Sequence, residues 1–267
     1  MSYKLSRRLF VIAAVVCTLL RIVIHRACID PSTGFYMGNR AFTMTYSFLI
    51  LAAILLFFVS GLSHKPQNPQ IPVLPPLRFS ALLGSIGILI LAVPSQSKIY
   101  GPNYLPLSRF GIVIRLIGLS ALPLVAAVLL IYFAVKSSRE KMAHINGYLA
   151  MIPCLWMAAV LVTRFMDYTA SRHVSDQMLS IVAMGFGTLF FLAFGRFAAG
   201  ADLVKAGQQT AAFAYPFSLA ALSAGAGILI GPQASIPLAL SIPEAVAFLL
   251  LGIFAGVTGM YLEDAPA

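Results

Sequence analysis

What most constrains this chain is an alternation: eight long, mainly apolar stretches separated by short segments that carry most of its few charges. They are Leu9–Ile24, Ala41–Leu62, Leu77–Val93, Phe110–Val135, Gly147–Arg164, Gln177–Phe197, Ala211–Ile230 and Glu244–Leu262. A helix of roughly 20 residues crosses a hydrocarbon layer about 30 Å thick. Inside that layer a backbone N–H or C=O finds its partner only within its own helix, so such a chain is committed to transmembrane helices. Composition agrees, with 60% hydrophobic and 10% charged residues, against roughly 25% charged in soluble domains. The fold class expected is all-α: a polytopic membrane protein of about eight transmembrane helices forming one membrane domain.

The flanks refine the boundaries. Lys4, Arg7 and Arg8 before the first stretch imitate a signal peptide, but Arg21 closes the apolar run and no small-residue cleavage site follows, so it reads as a retained anchor. The Pro-rich connection from Lys65 to Pro76 reads as a stiff loop, and Pro123 as a kink within the fourth span. No charge falls between Ala206 and Pro243. The last boundary therefore rests on Gly231, Pro232, Pro237 and Pro243, and two plain spans are expected there in preference to a re-entrant segment. With an inside N-terminus, Lys4, Lys65, Lys136, Lys141 and Lys205 fall on the inner side and only Lys98 on the outer. This places both termini in the cytoplasm.

The third and seventh stretches resemble one another. Phe79-Ser80 is matched by Phe217-Ser218, and Gly87-Ile88-Leu89-Ile90 by Gly227-Ile228-Leu229-Ile230. Arg21 closes the first span as Arg164 closes the fifth. Two parallel four-helix repeats, 1–138 and 139–267, would account for this. Chance likeness between apolar helices is the plain alternative. Gly227 with Gly231, and Gly252 with Gly256, are spaced for close helix packing.

The formal charge of +10 is scattered and forms no basic stripe, so nucleic acid is not an expected partner. Cys17, Cys28 and Cys154 are far apart, and His64, His144 and His173 lack a second ligand at metal spacing, so neither a metal nor a cofactor is expected. No metalloprotease helix, nucleophile elbow or phosphate loop occurs, which favours a non-enzymatic role. Trp156, deep in the fifth span, reads as core packing. Charge inside a membrane is costly, and here it is localised. Arg21, Arg115, Arg164 and Glu244 fall at one expected level near the outer ends of four helices, with His25, Asp30, Asp167 and Asp176 adjoining. Inward-facing guanidiniums there would clasp a phosphate or carboxylate. Alternatively each arginine snorkels to headgroups, or pairs with Asp167 or Glu244 to join helices.

The segments Thr163-Arg164-Phe165-Met166-Asp167-Tyr168, Ser175-Asp176-Gln177, Gly195-Arg196-Phe197-Ala198-Ala199-Gly200 and Asp30-Pro31-Ser32-Thr33-Gly34-Phe35 resemble uncharacterised multi-spanning membrane proteins of clostridia-like Gram-positive bacteria. The resemblance implies a bacterial plasma membrane and no activity. Two principal functions follow from the residues. One is a small transporter or permease for an anionic solute or lipid headgroup, with Arg21, Arg115, Arg164, Asp167, Glu244 and His25 lining the site. The other is a non-enzymatic accessory or sensor subunit that packs against a membrane-protein partner. A lipid-directed enzyme using His25 with Asp30 or Asp167 ranks behind both.

Overall fold

A computed structural model of the chain describes residues 3–30, 36–38, 40–63, 75–100, 116–137, 144–170, 175–230 and 241–263. Side chains are described there except at 3–4, 40, 94–100, 166–170, 175–177 and 263. The described residues form eight long helices, α1 (Tyr3–Ala27), α2 (Arg40–Ser63), α3 (Pro75–Tyr100), α4 (Leu122–Lys136), α5 (Ile152–Ala170), α6 (Ser175–Ala198), α7 (Leu203–Ile230) and α8 (Ile242–Glu263). Eight helical segments are long and apolar enough to span a membrane, α4 together with the turn before it and α5 together with the turn before it. The protein is thus an all-helical polytopic membrane protein, and the last two stretches are two long helices rather than a re-entrant hairpin.

Several boundaries differ from the sequence expectation for local reasons. Pro75 and Pro76 belong to the first turn of α3, where a missing N–H costs nothing because first-turn donors have no intrahelical acceptor. Before α4, residues Ile117–Ala121 form a π-helical turn and the Leu122 N–H reaches back to the Ile117 carbonyl. That widened turn sits directly ahead of Pro123, which cannot donate to the ladder. The fifth span is broken: Asn146 caps a single turn, Gly147–Ala150, by accepting from the Tyr148 N–H at 3.0 Å, and α5 begins after Met151, with Pro153 in its first turn. Helix α7 starts eight residues earlier than its apolar core, taking in Lys205, Gln208 and Gln209.

The helices run up and down, so the face where α1 begins, here the near face, also holds the ends of α2, α4, α6 and α8. Six of them close a ring in the order α3, α4, α5, α6, α7, α8 and back to α3. The α1–α2 hairpin packs outside that ring against α7, which consequently touches α1, α2, α6 and α8. The burial pattern follows: 78% of the α7 span is buried inside the protein, against 28% for α1 and for α2. Phe10 of α1, Phe57 of α2 and Tyr215 of α7 meet with centroids 4.2–5.7 Å apart and pin the hairpin to the hub.

Lipid tails are as apolar as leucine, so close van der Waals fit has to hold such helices together. The α7–α8 seam achieves it with small residues. A methyl on Gly225 would lie 2.6 Å from the Ala245 carbonyl, and one on Gly252 3.0 Å from Leu222 Cγ. Inside the ring, aromatic side chains fill the middle. Phe190 packs against Phe191, Phe194, Phe217 and Phe254 at 5.3–5.9 Å, while Phe133 and Trp156 extend the cluster to α4 and α5. Trp156 is fully buried, in the core role expected for it.

Candidate functional site

The buried acidic and basic side chains among the described residues, Arg21, His25, Arg164 and Glu244, gather at the far face, where α1, α5 and α7 end and α8 begins. Arg21 is 1% exposed and His25 3% exposed, both on α1 within the bundle. Although Arg21 ends the apolar run, α1 continues for six residues, which carries its guanidinium below the end of the helix. The stem of Arg21 lies against Gly227 of α7, where a methyl group would come within 2.9 Å of Arg21 Cγ and 3.6 Å of His25 Cδ2. Only a residue without a side chain leaves that trough open. One Arg21 Nη1 hydrogen bond is donated to the Tyr36 hydroxyl at 3.0 Å, and the guanidinium carbon stands 5.9 Å from the centre of the Tyr46 ring on α2.

Tyr36 arrives there because the chain folds back after α1. Ile29 and Tyr36 form an antiparallel bridge, and the Met37 N–H donates to the Cys28 carbonyl at 2.6 Å. Arg26 donates from Nε to the carbonyl of Ile230, the last residue of α7, at 3.1 Å. A cation at that position satisfies a terminal carbonyl and complements the helix dipole.

Arg164 and Glu244 meet each other. Nη2 of Arg164 donates to Oε1 of Glu244 at 2.5 Å, with side-chain exposures of 5% and 8%. The other carboxylate oxygen accepts from the Ser241 N–H at 2.8 Å and the Ser241 hydroxyl at 3.0 Å, and the Glu244 N–H points back to Ser241 Oγ at 3.4 Å. This is a reciprocal cap on the first turn of α8. Glu244 therefore does two jobs: it closes the start of α8 and binds α5 to it across 80 residues of sequence.

Helix α7 stands between these two groups. Gly225 faces Ala245 of α8, and Gly227 faces Arg21; residues two apart on a helix point roughly 200° away from one another. Arg21 with His25 and Arg164 with Glu244 thus occupy opposite faces of α7, at levels within about one turn. Arg115 lies outside the described residues. Asp167 is in α5, three residues beyond Arg164, and its side chain is outside the described set. Sequence reasoning read Gly227 only as a helix-packing glycine and assigned Tyr36, Tyr46 and Ser241 to no site. Of these three, Ser241 carried a readable signal, a Ser-x-x-Glu pattern at the head of an apolar run.

At the near face the polar contacts are helix connectors. Arg196 donates to Gln209 Oε1 at 2.9 Å, and Gln208 donates to the Leu62 carbonyl. The turn between α6 and α7 uses left-handed backbone at Gly200 and Asp202, with φ of 71° and 49°, and the His144 ring fills the space over Gly200.

Comparison with the models of known protein families, with curated proteins and with solved structures gives no match to this chain. The resemblance to clostridia-like membrane proteins thus narrows to its coarse content. Fold and composition define a multi-spanning helical membrane protein with eight candidate spans, for which a lipid bilayer is the implied surrounding.

Proposed function

We propose that this protein is a small permease or binding protein for an anionic solute or lipid headgroup, which approaches from the far face. The observation that carries this reading is Arg21. A guanidinium held inside the bundle, between three helices and against a glycine, is retained against a cost of roughly 2.5 kcal/mol or more, and charged residues retained in this way mark substrate and ion pathways. His25 stands beside it. Arg115 and Asp167 are the further candidates for the same face, while Arg164 and Glu244 act as the clasp that keeps α5 and α8 together around the ring. With cytoplasmic termini, as the lysine distribution argues, the site opens outward. The aromatic filling of the ring means that passage requires the α6, α7 and α8 phenylalanines to part.

The competing reading, an accessory subunit docking through small-residue faces, loses its main support. Gly252 packs on Leu222 and Ala221, and Gly256 on Ser218 and Phe10, all within the chain. The test is uptake or binding of a panel of carboxylates and phosphate monoesters by purified protein in liposomes. Arg21→Ala is expected to abolish the response to at least one anion, with Arg115→Ala and Arg164→Ala assayed beside it. Unchanged behaviour in all three variants overturns the free-solute form of the proposal.

A further inference from the structure

A groove of about 510 Å³ runs along the membrane-facing side of α2, lined by Tyr36, Thr43, Met44, Ser47, Phe48 and Leu51. Its volume lies within the roughly 300–1,000 Å³ of small-molecule sites. Polarity is graded along it. The hydroxyls of Tyr36, Thr43 and Ser47 stand toward the far-face end of α2, whereas Phe48 and Leu51, both well exposed, lie deeper toward the bilayer middle. From Thr43 to Leu51 the helix descends about 12 Å. Depth and chemistry therefore match an amphiphile standing upright in the far leaflet, head at the interface and tail along the helix.

The upper end also carries charge at one remove. Tyr36 lines the groove, and its hydroxyl accepts from Arg21 Nη1 at 3.0 Å. A phenol that accepts from a guanidinium uses a lone pair, keeps its own proton to donate, and becomes a stronger donor through polarisation. Its natural acceptor is an anion. Arg21 itself is buried, so the groove meets its charge through Tyr36, which is 40% exposed.

We propose that this groove is a binding site for one anionic phospholipid of the far leaflet, its phosphate accepting from the Tyr36 hydroxyl and one acyl chain lying along Met44, Phe48 and Leu51. The inference deepens the anion-site reading above, on which it rests, by naming the ligand class. It assigns Tyr36 the part of headgroup contact and Arg21 the part of a positioning residue behind it.

The experiment uses the full chain in nanodiscs of mixed phosphatidylglycerol and phosphatidylcholine, released for native mass spectrometry to count retained lipids. The wild type is expected to retain one phosphatidylglycerol in clear preference to phosphatidylcholine. Tyr36→Phe, which removes one oxygen and leaves the ring, is expected to lower that preference about tenfold, the size of a hydrogen bond to a charged acceptor. Ser47→Phe, which fills the slot from an exposed position, is expected to lose the bound lipid of either headgroup. Retention indifferent to both substitutions overturns the lipid site. If liposome uptake of free anions remains Arg21-dependent in that case, the anion-site reading stands and the lipid assignment alone falls. Lipid retention that depends on Tyr36, together with Arg21-independent behaviour toward every free anion, upholds the lipid site and removes the free solute from the anion-site reading.

Discussion

Removing one member of the Arg164–Glu244 pair is predicted to be far worse than removing both. In Glu244→Leu the Arg164 guanidinium, 5% exposed, keeps its charge and loses the carboxylate at 2.5 Å. Leaving a buried charge without its partner costs about 3–5 kcal/mol, and losing the reciprocal bonds to Ser241 adds about 1 kcal/mol of helix capping. Arg164→Leu is expected near the lower end of the same range, because Glu244 keeps its two bonds from Ser241. The double variant carries no buried charge, and apolar replacement of a buried ion pair is often close to neutral; only the cap is lost, about 1 kcal/mol. A double-mutant cycle should thus return a coupling of about 6–8 kcal/mol. The assay is equilibrium unfolding in mixed micelles, read from the fluorescence of Trp156, the single tryptophan, which is buried on the helix that carries Arg164. Interhelical hydrogen bonds in membranes average only about 0.6 kcal/mol by the same type of cycle. A coupling of that size would refute the argument, because it would mean the pair is solvated rather than held in a dry seam.

Two further outcomes follow from the same geometry. Gly227→Val places a side chain where a methyl alone would lie 2.9 Å from Arg21 Cγ; overpacking of this kind costs about 1–3 kcal/mol, and displacement of Arg21 should weaken anion binding measurably in titrations of the purified protein. Reporter fusions test orientation: a phosphatase active only outside the cytoplasm is expected to be silent when fused after Lys141 and active when fused after Arg172, and the opposite pattern would invert the site's direction.

How far the sequence could be read differs between levels. The spans were legible because the membrane imposes a length and an apolarity on every helix separately. Their neighbours were not. Most of the helices are apolar all round, so no stripe marks the inward side, and nothing in α7 by itself announces the hub of the bundle. Arg21, Arg164 and Glu244 stood out because charge is rare in such segments. That Arg164 would meet Glu244, while Arg21 turned to α7 and α2, depended on which side of α7 each helix took.

The residues in order were enough to mark out eight helices long and apolar enough to cross a bilayer, since each helix must satisfy its own backbone wherever its neighbours stand. Tertiary packing alone decided that six helices close around an aromatic centre, that the α1–α2 hairpin leans on α7 from outside, and that Tyr36 comes to lie over Arg21. Those outcomes depend on shape fit between surfaces of nearly equal hydrophobicity, where lipid competes with protein for every contact.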